Sequence, residues 1–280
     1  MKALITGANG QLGRELQRLL PDAIATDTAE LDITDATAVR AFDWSDIKVI
    51  YNAAAYTNVD GAEQHAKLAE KVNAAGPANL AEIARAHDIT LVQPSTDYVF
   101  DGTATQPYPE TAERHPQGVY GTTKARGEEA VETVPKRYLV RTSWVYGEGH
   151  NFVRTMLKLG ADRDEITVVS DQLGRPTYAK DLATALVQLV QNNAAFGTYH
   201  FQNDGAIISW AAFATAIFEA AGISCRVVPI TTAEYTKGKI GIAPRPAYAA
   251  LALEKVKAVG INPRPWLEAL AEYIKQELQQ

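Results

Sequence analysis

Two side chains of this 280-residue chain stand four positions apart in a way that suits moving a proton: Tyr120 and Lys124, in the run Tyr120-Gly121-Thr122-Thr123-Lys124. On a helix that spacing sets both on one face, a turn apart. A free phenol ionises at about 10 and does little acid or base work at neutral pH. An ammonium beside it stabilises the phenolate, lowers that pKa and turns the pair into a proton shuttle. The same pattern also describes an ordinary exposed helix pair, so its meaning depends on what accompanies it. Thr96 is the companion, in Ser95-Thr96-Asp97-Tyr98-Val99-Phe100-Asp101-Gly102, directly after an apolar run. A hydroxyl at the carboxyl end of a central strand faces the crevice where ligands bind in open α/β sheets. There Thr96 can donate a hydrogen bond to a carbonyl; the plainer alternative is that it caps a turn.

The third signal is Gly7-Ala8-Asn9-Gly10-Gln11-Leu12-Gly13, between an apolar run and an amphipathic one. Glycines at this spacing allow a sharp turn, bring bare amides against a pyrophosphate and let a helix sit close to a strand. The helix N-terminus adds its partial positive charge. Gly7, Gly10, Gln11, Leu12 and Gly13 are therefore candidates to hold a dinucleotide. Asp27, ending the second predicted strand, sits where a carboxylate binds the adenosine ribose 2′-hydroxyl and repels a 2′-phosphate, which by itself favours NADH.

The elements that must position these groups alternate. Predicted strands at 3–6, 23–26, 47–51, 90–93 and 138–141 are separated by helical patterns, the longest spanning 61–87 with a bend or fresh turn at Gly76-Pro77. Apolar strands alternating with helices imply an α/β fold with a doubly wound parallel sheet of Rossmann type, covered on both faces. Past Trp144 the pattern changes to helices at 151–159, 180–190 and 210–221, strands at 166–169, 198–201 and 226–230, and a closing helix after Pro265. The expected organisation is a dinucleotide-binding domain over 1–146 and a smaller C-terminal α/β substrate domain over 147–280, with roughly 176–200 returning to the first. Gly174-Arg175-Pro176 and Ala243-Pro244-Arg245-Pro246 read as crossings between the two. Arg175 and Arg245 are candidates for a diphosphate, which a guanidinium grips through two hydrogen bonds.

GANGQLG, NAAAYTNVDGAE from Asn52, STDYVFDG, YGTTKARGEEA, RTSWVYGEGHNFV from Arg141 and DQLGRPTYAKDLA from Asp171 together resemble the dTDP-4-dehydrorhamnose reductase family, within the extended short-chain dehydrogenases/reductases. The resemblance runs nearly the whole length and is thin over 206–239. It implies a catalytic set of Thr96, Tyr120 and Lys124. It implies a cofactor lining that adds Asp32, Ile33, Ala54, Ala55, Tyr56 and Thr57, and a nucleotide-sugar substrate meeting Thr96, Asp97 and Trp144. It further implies NADPH as hydride donor, with NADH the alternative to which Asp27 leans. In some members magnesium bridges a dimer through glutamates. Glu15 has a counterpart here, but Lys180 stands where an acid is expected, which argues against the metal and leaves a monomer or weak homodimer.

Composition narrows the rest. A net charge of −6 argues against nucleic acid as a partner. The single cysteine, Cys225, excludes an internal disulfide and reads as a small apolar residue. No apolar run is of membrane-spanning length and the first residues lack a signal-peptide pattern, so the expectation is a cytoplasmic protein without a membrane partner. Two rivals stay open. A nucleotide-sugar dehydratase or epimerase shares the fold, although Thr96-Asp97-Tyr98 lacks the glutamate that follows Thr-Asp in dehydratases. A non-catalytic NADP-binding regulatory subunit shares it too, although Tyr120 and Lys124 argue against that.

Overall fold

The computed structural model describes residues 2–279. In the first half the chain runs β1 Lys2–Thr6, α1 Gln11–Leu19, β2 Ile24–Thr26, α2 Ala36–Ala41, β3 Ile47–Asn52, α3 Val59–Gln64, α4 Ala66–Glu70, α5 Gly76–Ala86, β4 Thr90–Thr96, α6 Val119–Glu132 and β5 Arg137–Thr142. It continues with β6 Val145–Tyr146, α7 Phe152–Asp162, β7 Glu165–Val169, β8 Leu173–Gly174, β9 Thr177–Tyr178, α8 Ala179–Gln191, β10 Gly197–His200, β11 Ile208–Ser209, α9 Trp210–Ala221, β12 Arg226–Ile230, α10 Thr232–Thr236, α11 Glu254–Ala258 and α12 Trp266–Glu277.

Six strands form one sheet in the order β10-β5-β4-β3-β1-β2, every pairing parallel. The order reverses between β1 and β3, so the carboxyl ends of those strands open a crevice between helices on opposite faces. The strands are apolar on both faces because both are covered. Ile5, Val49, Val92 and Val140 pack with Leu182, Leu186 and Leu189 of α8 on one side. Leu4, Ile50 and Leu91 pack with Leu80, Ile83 and Ala84 of α5 on the other. A separate core gathers Val153 and Met156 of α7, Phe213 and Ile217 of α9 and Leu270 and Tyr273 of α12 around the β7–β12 pair.

The long helical stretch expected at 61–87 starts afresh at Gly76-Pro77 as its sequence implies, and it is also broken earlier. It stops at His65, restarts, and passes through a π-helical turn over Lys71–Ala75 before α5 begins. Gly76 and Pro77 then open α5, where proline's missing N–H costs nothing. Gly76 is bare for a steric reason: a Cβ there would lie 2.6 Å from Cδ1 of Ile33. Strand β10 pairs with β5, and α8 before it packs on α1, so the chain returns to the sheet after visiting the second core.

Helix α6 is fixed to the sheet by charge as well as by packing. Glu128 and Arg141 are 1 % and 3 % exposed, and the guanidinium holds the carboxylate through Nη2 at 2.7 Å and Nε at 3.0 Å. Arg114 reaches the same carboxylate at 3.1 Å and also grips Glu132. Removing one partner of such a pair strands the other charge in a low-dielectric interior. Arg141→Met is therefore expected to destabilise the protein by about 3 kcal/mol, measured by urea denaturation. A loss under about 1 kcal/mol would mean that Arg114 alone suffices.

Candidate active site

The glycine loop is shaped by backbone approaching backbone. Gly7 has φ +64°, in the left-handed region, and a Cβ on it would lie 2.5 Å from the amide nitrogen of Ala54. A Cβ on Gly13 would lie 2.2 Å from the carbonyl oxygen of Gly7. Only bare backbone lets β1, α1 and the segment after β3 meet this closely. Gly10 is the N-cap of α1 and offers no side-chain cap, which leaves the first amides of the helix, at Gln11 and Leu12, without a side-chain partner. Gln11 donates to the carbonyl of His150 at 3.1 Å, tying the loop to the chain beyond β6.

Asp27 sits at the end of β2 and closes the same loop. It accepts from the Asn9 amide at 3.0 Å and from the Thr28 amide at 2.8 Å. Partial burial works against its charge, but these amides outweigh it and hold the carboxyl below the usual aspartate range. Asp32 accepts from the Thr34 amide at 2.9 Å, whereas Ile33 is buried against Leu80 and Ile83. Ala54, Ala55 and Tyr56 are half-buried and Thr57 is exposed, in the coil leaving β3.

That coil is clamped by a residue for which the sequence carried no motif. Asn73, in the π-helical turn and 1 % exposed, accepts from the Tyr56 amide at 2.9 Å and donates to the Tyr56 carbonyl at 3.0 Å. The same amide donates to Thr123 on α6 at 3.3 Å. Its two-sided amide thus joins the coil after β3 to the helix that carries Tyr120 and Lys124. A π turn in this position, where one extra residue is squeezed into a helix, is the kind of irregularity that collects at functional sites.

Thr96, Asp97, Tyr120 and Lys124 converge at the carboxyl end of β4. Thr96 and Asp97 are 6 % and 3 % exposed. The Thr96 Oγ1 lies 3.1 Å from Oδ1 of Asp97 and accepts from the Tyr98 amide at 3.2 Å. Tyr98 meets Tyr120 edge to face, with ring centroids 5.3 Å apart. Gly121 lets α6 come this near, since a Cβ there would strike the Tyr98 carbonyl oxygen at 2.2 Å. Lys124 is 6 % exposed and donates to the carbonyl of Pro94 at 2.9 Å. Burial holds its ammonium down to about 8, against the pull of Glu128 one turn away.

The phenol departs from expectation. Burial drives Tyr120 up to about 12, and the group that pulls it back is the Thr96 hydroxyl rather than Lys124. The lysine's hydrogen bond to Pro94 and its own desolvation explain why it does not offset that burial. A phenol at about 12 stays protonated at neutral pH, which is the form a proton donor must have.

Trp144 follows β5 with φ +50°, a conformation that costs a bulky residue energy and persists only where its surroundings impose it. Its indole stacks on that of Trp210, the first residue of α9, at a centroid distance of 3.7 Å, and Phe152 backs Trp210 at 4.5 Å. A Cβ on Gly174 would sit 3.0 Å from the Trp144 ring, so the Gly-Arg-Pro crossing makes room for it. The two candidate arginines are engaged with protein. Arg175 donates to the carbonyls of Gly205 at 2.9 Å and Leu251 at 3.2 Å. Arg245 pairs with Asp60 at 2.9 Å and donates to Ala243 at 3.0 Å.

The surroundings of Glu15 do not suit a divalent cation. Glu15 pairs with Arg18, which also holds Glu148 at 2.6 Å, and Lys180 pairs with Glu272 at 2.7 Å. These cations already occupy the carboxylates around a cavity of about 220 Å³. No group of three or more potential metal ligands occurs among the described residues.

The profile described as RmlD substrate binding domain matches residues 1–279. A dTDP-4-dehydrorhamnose reductase from Aggregatibacter actinomycetemcomitans is 44% identical over 286 residues, covering 96% of this chain and 97% of its own. A crystal structure of a dTDP-4-dehydrorhamnose reductase from Clostridium acetobutylicum superposes with a TM-score of 0.94 at 45% identity and full coverage of both chains. One from Bacillus anthracis, in complex with NADP, gives 0.91 at 37% identity, covering 98% of this chain and 99% of that one.

Because Gly13 has no room for a side chain, Gly13→Ala must push α1 away from β1. Affinity for a dinucleotide, read by fluorescence titration, is expected to fall at least about tenfold while far-UV circular dichroism is unchanged. Unaltered affinity would mean that the loop is not where the pyrophosphate lies.

Proposed function

The chain belongs to the family of the RmlD substrate binding domain, and on that footing we propose that it reduces the C4 ketone of dTDP-4-dehydro-L-rhamnose to dTDP-L-rhamnose, using NADPH, for cell-surface polysaccharide synthesis. The observation that carries this reading is the meeting of Thr96, Tyr120 and Lys124 at one strand end beside an uncapped, glycine-walled helix N-terminus. The bare cradle of Gly7, Gly10 and Gly13 suits a pyrophosphate because no Cβ fills it and no side chain caps the helix behind it. NADPH, when bound, supplies the hydride.

The chain's own residues do the rest. Thr96 donates a hydrogen bond to the carbonyl oxygen and draws charge toward it. Tyr120 delivers its proton to that oxygen as negative charge develops there. An alkoxide is a far stronger base than a phenolate even at about 12, so the transfer runs downhill. Lys124 then holds its ammonium near the phenolate left behind and, in this family's pattern, near the nicotinamide ribose. Orientation and exclusion of water in this buried corner do much of the work. Trp144 would meet the sugar nucleotide directly, and Asp97 would meet it through the Thr96 hydroxyl beside it. Asp27, Asp32, Ile33, Ala54, Ala55, Tyr56 and Thr57 would line the adenosine and ribose path, with Arg175 and Arg245 the nearest guanidinium groups in the two crossings. Residues 1–146 form the cofactor domain in this reading, with about 176–200 returning to it, and most of 147–280 serves the substrate. We read the protein as a cytoplasmic monomer or weak homodimer. No helix among the described residues is long and apolar enough to cross a membrane.

Mixing the protein with dTDP-4-dehydro-L-rhamnose and NADPH should consume the reduced cofactor, with Tyr120→Phe slowing turnover by about 10²–10⁴-fold. Cofactor binding without oxidation would favour a non-catalytic role; oxidation with a different nucleotide-sugar ketone only would move the substrate. Asp27→Asn keeps an acceptor for the Asn9 amide and removes the charge. It should raise the ratio of kcat/KM for NADPH over NADH by about tenfold. An unchanged ratio would confine Asp27 to holding the loop.

A further inference from the structure

Thr96 has one proton and more than one claimant. Its oxygen lies 3.1 Å from Oδ1 of Asp97, and its hydroxyl also acts on the Tyr120 oxygen. In the reductase reading, the substrate carbonyl claims it as well. Its acceptor side is half used, by the Tyr98 amide. An ionised Asp97 is acceptor-only, so it would take the Thr96 proton for itself and leave none for the carbonyl. A protonated Asp97 reverses the bond. It donates to the second lone pair of Thr96, whose own proton is then free to point into the crevice.

The surroundings of Asp97 favour the protonated form. The side chain is 3 % exposed, and its Oδ2 has no hydrogen-bond partner. The titratable groups around it are Tyr98 on its own turn and Tyr120 from α6, with the Arg245–Asp60 pair lying beyond Tyr98. Lys124, from the same helix as Tyr120, spends its ammonium on the Pro94 carbonyl. Among the described residues no cation forms an ion pair with Asp97. A buried carboxylate with no cation and one unused oxygen costs several kcal/mol unless it takes up a proton. Burial accordingly pushes this carboxyl up to about 7, with only the Thr96 hydroxyl and its own backbone pulling it back. An ionised Asp97 would also oppose the phenolate that Tyr120 becomes during reduction.

We propose that Asp97 works as a neutral acid, donating its proton in a hydrogen bond to Thr96 and thereby orienting the Thr96 hydroxyl toward the substrate carbonyl. It is a positioning residue that acts through Thr96, and its ionisation withdraws the electrophilic hydrogen bond. This rests on the reductase reading given above.

The test compares pH profiles of kcat/KM for NADPH-dependent reduction by wild type, Asp97→Asn and Thr96→Ala. Wild type should decline about tenfold per pH unit above about 7. An asparagine amide donates at every pH, so Asp97→Asn should hold its activity until Lys124 loses its proton at about 8. With Thr96→Ala the step at about 7 should vanish from a lower plateau. Activity of Asp97→Asn reduced by one constant factor at all pH values would overturn the proposal, because the step at about 7 would then belong to another group. A step that survives Thr96→Ala would overturn it too, by showing that Asp97 acts on the substrate directly.

A second readout needs no substrate. A folded-state pKa raised above the unfolded value costs stability progressively as pH rises between the two, and fully above the higher one. The Tm advantage of Asp97→Asn over wild type should therefore grow from about pH 4 and level off above about 7. A difference in Tm independent of pH would mean Asp97 is already ionised. If the wild type turns over no ketone at all, the reductase reading fails while this melting comparison still decides the state of Asp97.

Discussion

The whole candidate site hangs on how α6 lies against β5 and β4. The buried Glu128–Arg141 pair sets that contact. Counting back along one face of α6 from Glu128, Lys124 is one turn away and Tyr120 two. Counting forward along β5 from Arg141, the strand ends at Thr142 and Ser143 leads to Trp144. One ion pair thus fixes the Tyr120 phenol, the Lys124 ammonium and the turn that carries Trp144 in a single frame. Charge alone would not hold the helix flush. Gly121 and Gly127 supply the flat places, the second because a Cβ would strike the Asn73 carbonyl oxygen at 2.1 Å. Asn73 then extends the frame to the coil after β3, so the two sides of the crevice are joined through a single buried amide.

Against that rigid side stands an aromatic one. Trp144 leaves the sheet in a strained conformation and reaches Trp210, Phe152 and Phe213, which belong to the second core. Strain in Trp144 and bare backbone at Gly174 are two halves of one arrangement. The indole lies where it does because the crossing strand yields space at Gly174 and the Trp210 ring gives it a face to lie on. Polar contacts reinforce the same junction: the amide of Tyr178 in β9 donates to the Asn203 side chain at 2.8 Å, and Gln202 donates to the Ala249 carbonyl at 2.9 Å.

The sheet was legible in the sequence because parallel strands buried on both faces are plain apolar runs closed by glycine or polar residues. The later helix at 210–221 and strand at 226–230 fall where their patterns place them. The glycine loop was legible for a local reason, since close backbone approach must be written in glycine. What could not be read is long-range. Nothing in Lys71–Ala75 announces a π turn, because the irregularity serves an amide that must reach both Tyr56 and Thr123. Two-residue pairings such as β6–β9 and β8–β11 are too short to have a period. The phenol's high pKa was equally hidden. The spacing of Tyr120 and Lys124 gives their proximity on a helix, but their depth of burial and the lysine's turn toward Pro94 come from the packed sheet.

The return of the chain to its first sheet has a consequence for how the protein is made. Strand β10 is the sixth of the sheet but arrives only at residue 197, and Leu253, Val256 and Ile261 complete the same core later still. During synthesis the first five strands emerge with one flank of β5 unpaired and part of the core missing. At about 5–20 residues per second, the stretch from β5 to β10 keeps that flank open for several seconds. Unpaired edges of this kind invite pairing with other chains. The nascent chain is thus most exposed to aggregation in the middle of its own translation, before β10 can pair with β5.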